Sequence, residues 1–270
     1  MSVKKEPSGR RSIEVEVEVP GTPAQVWQAI ASGPGMSSWF VPAQFEERDG
    51  QPVAVTLDFG PGVISRSVVT TWDPPHRFIR EGQGWAPGSP PMATELRVEA
   101  RAGGVCVVRV VQSLFASTDD WDDQLTGAES GWPGIFRILR LYLTHFPGQR
   151  SAVMRVMAPV SGTATEAWES LASALGLTGV GAGQTWSTPA GAPPCGGVVE
   201  RVGDDPHGAL MRLDRPGPGL AALYTIDLGN TLMASVNVFF YGDAAAANAA
   251  NETPRWEAWL AQRFPMPAAS

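Results

Sequence analysis

The chain has 270 residues, of which 43% are hydrophobic and 17% charged, enough for a sizeable core and unlike a disordered protein. Its formal net charge of -7 argues against a nucleic-acid partner, because phosphate binding normally needs net positive charge. No run approaches the ~20 apolar residues of a membrane helix, and no apolar signal segment opens the chain. These features predict a soluble, cytoplasmic protein without membrane insertion, and the length predicts two domains.

The first predicted element is a strand over residues 12–19, in which apolar and acidic side chains alternate. A helix should follow, because Thr22 is a suitable N-cap and Pro23 suits the first helical position. Ser32 to Gly35 is predicted to end that helix, with a second short turn or helix at Met36 to Phe40. The apolar face of the strand consists of Ile13, Val15, Val17 and Val19.

Residues 43–115 have the alternation and turn residues of antiparallel strands, with a hairpin turn at Ala102-Gly103-Gly104. Beyond them, apolar residues at spacings of three and four predict a long helix that ends at Phe146-Pro147-Gly148. The four aspartates between residues 119 and 123 lack the glycine and distal glutamate of a calcium loop. They are therefore attributed to the N-terminus of the long helix, where negative charge is favourable.

The same order of landmarks recurs in the second half of the chain. A turn at residues 228–230 matches the glycine hairpin, and a closing helix is predicted from about Asn251 to Phe264-Pro265. We interpret this as an internal duplication, with a flexible tail at residues 1–11 and domains at 12–150 and 151–266. Gly21, Thr22, Trp27 and Ile30 correspond, 141 positions later, to Gly162, Thr163, Trp168 and Leu171.

These landmarks resemble the START-like (SRPBCC) superfamily, and within it the domain related to the Aha-type activator of heat-shock protein 90 ATPase. The resemblance implies an α+β fold of two tandem helix-grip domains, each a curved antiparallel sheet wrapped around a long C-terminal helix. Members bind lipids, cyclise polyketides, resist reactive natural products or assist a chaperone, so the fold leaves the activity open. The motifs that carry the likeness are Thr22 to Ile30, Ser38 to Phe40, Gly62-Val63, Asp73 to Phe78 and Gly131-Trp132.

In a helix-grip domain, the gap between sheet and helix is the expected ligand site. If Val107 and Val111 face inward, Arg109 also faces inward and belongs to this site, where a buried arginine needs an anionic partner from the protein or a ligand. The other register turns Arg109 to solvent. Trp85, on a loop rich in glycine and proline, either caps the pocket or lies on the surface of its own domain or in the interface with the second copy. The apolar candidates line a pocket or simply fill the core: Leu57, Phe59, Trp72, Leu96, Val98, Val111, Phe115, Trp132, Phe136 and Leu139.

The sequence predicts no metal site, catalytic group or cofactor. Its three histidines lie far apart, and neither Cys106 nor Cys195 has a histidine nearby in sequence. The leading hypothesis is a non-catalytic protein that holds an apolar or amphipathic small molecule between the sheet and the C-terminal helix. The alternatives are an interaction module for a chaperone or regulator protein, and a polyketide cyclase-like enzyme whose acid/base pair the sequence does not identify.

Overall fold

The computed structural model describes residues 3–60, 63–84, 88–204, 207–227 and 231–265. The chain divides into two compact units, Met1–Arg150 and Ser151–Ser270. In each unit an antiparallel sheet carries a long C-terminal helix, which confirms the predicted α+β fold of two tandem helix-grip domains. Among the described residues, no helix is both long and apolar enough to cross a membrane.

The first unit contains a sheet of eight described strands and three helices. The strands are β1 Lys4–Lys5, β2 Arg10–Pro20, β3 Ala43–Arg48, β4 Gln51–Asp58, β5 Ile64–Asp73, β6 Arg77–Gly82, β7 Met92–Arg101 and β8 Val105–Phe115. The helices are α1 Pro23–Ile30, α2 Gly33–Ser37 and α3 Asp122–His145. The strands pair in the order β1-β2-β8-β7-β6-β5-β4-β3, so the first long strand lies beside the last, and α3 packs chiefly on that pair.

The second unit repeats this plan with fewer strands in its described part. The strands are β9 Ala152–Pro159, β10 Thr185–Ser187, β11 Gly196–Asp204, β12 His207–Arg215, β13 Gly219–Asp227 and β14 Leu232–Phe240, and the helices are α4 Ala164–Ala174 and α5 Ala245–Arg263. Their order is β10-β11-β12-β13-β14-β9, and α5 packs on β9 and β14. The turn predicted at residues 228–230 lies outside the described residues.

The first helix of each unit begins with the same capping box. The Thr22 hydroxyl accepts a hydrogen bond from the backbone N–H of Gln25, and the Gln25 side chain accepts one from the backbone N–H of Thr22. Thr163 and Glu166 repeat both bonds at α4. Because a capping box satisfies two otherwise unpaired N–H groups, it fixes where each helix begins. The shared device supports the internal duplication.

The prediction of a flexible tail over residues 1–11 is wrong for its described part. Lys4 and Lys5 pair with Ser12 and Arg11 as a short edge strand, and the Arg11 side chain is buried. The reason is ionic: Lys5 and Arg11 both contact aspartates near the start of α3, more than a hundred positions away in sequence.

Two predicted helix boundaries also need correction. α1 ends at Ile30, just before Ser32 as predicted, but the second helix begins at Gly33 rather than Met36. Ser32 caps this helix, because its hydroxyl accepts a hydrogen bond from the backbone N–H of Gly35 at 3.0 Å. The closing helix begins at Ala245 rather than near Asn251. The intervening residues are mostly alanine, the strongest helix former, so the helix extends further towards its N-terminus than its apolar spacing indicated.

Candidate functional site

The pairing register decides which side chains of the first sheet face α3. Arg80, Thr94, Gln112 and Ile13 are direct cross-strand partners on β6, β7, β8 and β2, so all four side chains point to the same face of the sheet. Trp132 of α3 donates from Nε1 to Oε1 of Gln112 at 2.9 Å. This face, which we call the inner face, therefore lies against α3.

Most of the residues predicted from the sequence as pocket lining lie on the inner face or on the side of α3 that packs against it. Phe59 and Trp72 are half-buried among other aromatic rings: Phe59 lies 5.8 Å from Phe40, and Trp72 lies 5.0 Å from Trp27, between ring centroids. The others are almost completely buried and form part of the core: Leu57, Leu96, Val98, Trp132, Phe136 and Leu139. The half-buried aromatic rings are thus the part of the predicted set with apolar surface left for a ligand.

Three predicted lining residues lie on the opposite, outer face, and their assignment to the pocket is corrected. Arg109 pairs with Glu14 at 3.2 Å and Glu16 at 2.9 Å, which is the solvent-facing register. Val111 shares that face, and Phe115 is 64% exposed. Periodicity did not separate the two registers because valines occur on both faces of β8. Trp85 lies outside the described residues.

Arg80 is a site residue that the sequence reasoning missed. Its side chain is on the inner face and is only 7% exposed. Nη1 donates to the Ser67 hydroxyl at 2.9 Å, whereas Nε has no hydrogen-bond partner. No ion pair to Arg80 is found within the described ranges, and burial lowers the pKa of its guanidinium to about 10. The available signal was its position two residues after Phe78 in an alternating strand, which gives the two side chains one face.

Arg80 belongs to a buried row of polar side chains. Thr94 is its cross-strand neighbour, and Gln112 donates from Nε2 to the Thr94 hydroxyl at 3.4 Å. Ser67, Thr94 and Gln112 are each at most 5% exposed. With the Trp132 indole on Gln112, this row offers hydrogen-bonding groups inside an otherwise apolar layer, which is the arrangement that orients an amphipathic ligand.

The described inner face is rich in donors but holds no carboxylate or imidazole beside this row. Likewise, no group of three or more His, Cys, Asp or Glu side chains suited to a metal ion occurs in the described part of the chain. The side chains that the structure brings together can therefore bind and orient a ligand.

Arg80 lines neither of two surface cavities in the described part of the chain. One, of about 530 Å³, lies beside β2 and is lined by charged residues that include Lys4, Arg10 and Arg97. The other, of about 180 Å³, lies between β9 and α5 in the second unit. Arg80 and its polar neighbours Ser67, Thr94 and Gln112 are nevertheless buried, each at most 7% exposed.

Comparison with known proteins identifies the first unit. Residues 10–139 match the family described as polyketide cyclase / dehydrase and lipid transport. The first unit is therefore similar to the START-like (SRPBCC) superfamily, which includes this family. The superfamily predicted from the sequence is thereby confirmed, although the matching family is the polyketide cyclase one. A search of curated proteins found no match.

Solved structures similar to this chain include two that match nearly its whole length. DynU16, a putative protein in the dynemicin biosynthetic locus, is 16% identical with a TM-score of 0.42, covering 94% of this chain and 95% of its own. The di-domain ARO/CYC BexL from the BE-7585A biosynthetic pathway is 12% identical with a TM-score of 0.44, covering 95% and 99%. The Aha1 dimer from Colwellia psychrerythraea is 16% identical with a TM-score of 0.38, covering 49% and 95%.

Proposed function

We propose that the first unit binds an amphipathic small molecule whose acidic head group pairs with Arg80. The apolar body of the ligand would lie against the half-buried rings of Phe40, Phe59 and Trp72. The observation that carries the proposal is the buried Arg80 guanidinium, whose Nε lacks a hydrogen-bond acceptor and which has no ionic partner in the described part of the unit.

The physical argument concerns the free energy of the buried charge. An unpaired buried cation is destabilising, since neither water nor a counter-ion replaces its lost hydration. A carboxylate or phosphate at Nε would form a charge-assisted hydrogen bond, which is stronger than one between neutral groups. The ligand would then satisfy a group that the fold leaves unsatisfied, and burial of its apolar body would add roughly 25 cal/mol per Å².

The family description supports the same class of ligand. It names polyketides and lipid transport, and both polyketides and lipids include amphipathic molecules with acidic or enolic oxygens. The polyketide cyclase-like alternative would also use Arg80 to hold such an oxygen, but it needs in addition an acid/base pair. The described inner face presents none beside Arg80, so binding is the function that the geometry supports best.

The test compares an acidic probe with a neutral one of the same length. Dodecanoate and dodecanol compete against a dansyl-labelled undecanoate for the full chain, with Arg80→Met as the variant and Arg109→Met as a matched control on the outer face. We expect Arg80→Met to weaken dodecanoate binding by roughly 10- to 100-fold, the range for a hydrogen bond to a charged group, and to leave dodecanol unchanged. Equal dodecanoate affinity in wild type and Arg80→Met would refute the proposal.

A further inference from the structure

The first half of α3 is poor in helix-forming residues. Gly127, Gly131 and Gly134 have open space where a Cβ atom would stand, so packing does not require glycine at these positions. Pro133 lies inside the helix, where it has no backbone N–H to donate. Its ring also crowds the carbonyl group of the residue four positions earlier. Since glycine is among the weakest helix formers and Pro133 supplies no backbone N–H, this part of the continuous helix α3 has low intrinsic stability.

Few apolar anchors hold this first half to the sheet. Leu125 is the one fully buried side chain described between residues 122 and 131. The remainder of the helix is anchored by Trp132, Phe136, Leu139, Tyr142 and Leu143, all buried. The second half of α3 is therefore held to the sheet by more apolar contact than the first half.

Ionic contacts hold the start of α3 instead. Arg11 of β2 contacts Asp119 at 2.6 Å and Asp122 at 2.7 Å, and Lys5 of β1 contacts the same two aspartates at 2.9 Å and 3.0 Å. No side-chain N-cap accompanies them, because Trp121 occupies that position. We call these four charged residues the latch.

We propose that residues 122–131 form a gate that opens about Pro133 and that the latch holds it closed. Arg11 lies two residues before Ile13 on β2, and Ile13 is the edge member of the row that contains Gln112 and Arg80. From the latch, α3 runs about 15 Å along its axis to Trp132, whose indole donates a hydrogen bond to Gln112. The first half of α3 therefore covers the inner face at the β2 end of that row. Opening would uncover the β2 end of this row, from which a ligand would pass Gln112 and Thr94 to reach Arg80. The role as an entrance rests on the proposed function; the opening itself does not.

The second unit supplies an internal reference. Its long helix, α5, also contains a proline, Pro254, but residues 245–250 before it are alanines with one asparagine and no glycine. If glycine content sets the stability of the helix start, the beginning of α5 should be the better protected of the two. The amide exchange rates of both segments can be measured in one experiment on the same molecule.

The test is amide hydrogen exchange of the full ligand-free chain. We expect the amides of residues 122–131 to exchange faster than those of residues 135–145 and 245–250. Their exchange should accelerate further between about 0.05 and 0.5 M salt, because salt screens the latch.

Gly127→Ala and Gly131→Ala should each slow the exchange of residues 122–131 about fivefold, following the difference in helix propensity between glycine and alanine. Asp119→Asn, which removes contacts to both Arg11 and Lys5, should accelerate it, whereas Arg140→Gln on the exposed side of the anchored half should not. Equal protection of the two halves, or no response to Asp119→Asn, would overturn the proposal.

Ligand kinetics separate the gate from the binding site. The Gly127→Ala/Gly131→Ala variant should slow both association and dissociation of dansyl-labelled undecanoate while its Kd stays unchanged, because a gate alters the barrier and not the bound state. Arg80→Met should instead raise the Kd. If wild type does not bind the probe, the proposed function fails, and the exchange data still decide whether residues 122–131 open.

Discussion

Replacing Arg80 with methionine should stabilise the first unit even though it removes the proposed ligand contact. Burial lowers the Arg80 pKa to about 10, well below that of a free guanidinium, so the folded state holds the proton less tightly than the unfolded state. A tenfold change in an ionisation constant corresponds to about 1.4 kcal/mol, and the lowered pKa therefore corresponds to about 3 kcal/mol of destabilisation by the charged group. This cost is fully present below about pH 10 and disappears as the pH rises from there towards the higher pKa of a free guanidinium.

Methionine removes that cost near neutral pH but loses the hydrogen bond to Ser67, worth about 1 kcal/mol. The expected net gain is about 2 kcal/mol, or roughly 4–8 °C in the melting temperature for a unit of this size. Calorimetry and urea unfolding of the full chain near pH 7 measure it. Arg97→Met is the control, because Arg97 is partly exposed and pairs with Glu95 at 2.7 Å. A loss of stability in Arg80→Met would refute the reasoning, since it would mean that the fold already satisfies this cation.

Further substitutions test the elements around the site. Thr22→Ala removes the capping box of α1 and should cost about 1 kcal/mol of unfolding free energy in a urea titration. Gln112→Leu leaves the Trp132 indole N–H without its acceptor and should cost about 1–3 kcal/mol, with tryptophan fluorescence as the readout; a neutral effect would show that the bond contributes nothing. Because burial raises the pKa of Cys195 to about 12, its thiol should resist alkylation in the folded protein near pH 8 and react on unfolding, whereas rapid native labelling would contradict its burial.

The fold was predictable because its signals are local. The alternation over residues 12–19 and the Thr22 and Thr163 caps depend on neighbours within a few positions, and the repeat of these signals revealed the duplication. The N-terminal strand was missed because its partners lie far away: the contacts of Arg11 with Asp119 and Asp122 span 108 and 111 positions. The composition of residues 1–11 is polar and typical of a solvated tail, and it carries no information about these distant partners.

The site was harder to predict because it depends on strand register. In β8, Arg109 stands among valines on both faces, so either register satisfied the apolar pattern. In β6, Ile79 and Arg80 are adjacent, and hydrophobicity alone favours the isoleucine for a buried position. The register places Phe78 and Arg80 inward instead, which buries a cation that composition alone would assign to solvent.

A crystal structure of the full chain with dodecanoate tests the central claim most directly. The account predicts a carboxylate oxygen within about 3 Å of Arg80 Nε, the distance of a charge-assisted hydrogen bond, with the alkyl chain towards Phe59 and Trp72. A carboxylate bound elsewhere, with Arg80 Nε still lacking an acceptor, would contradict it.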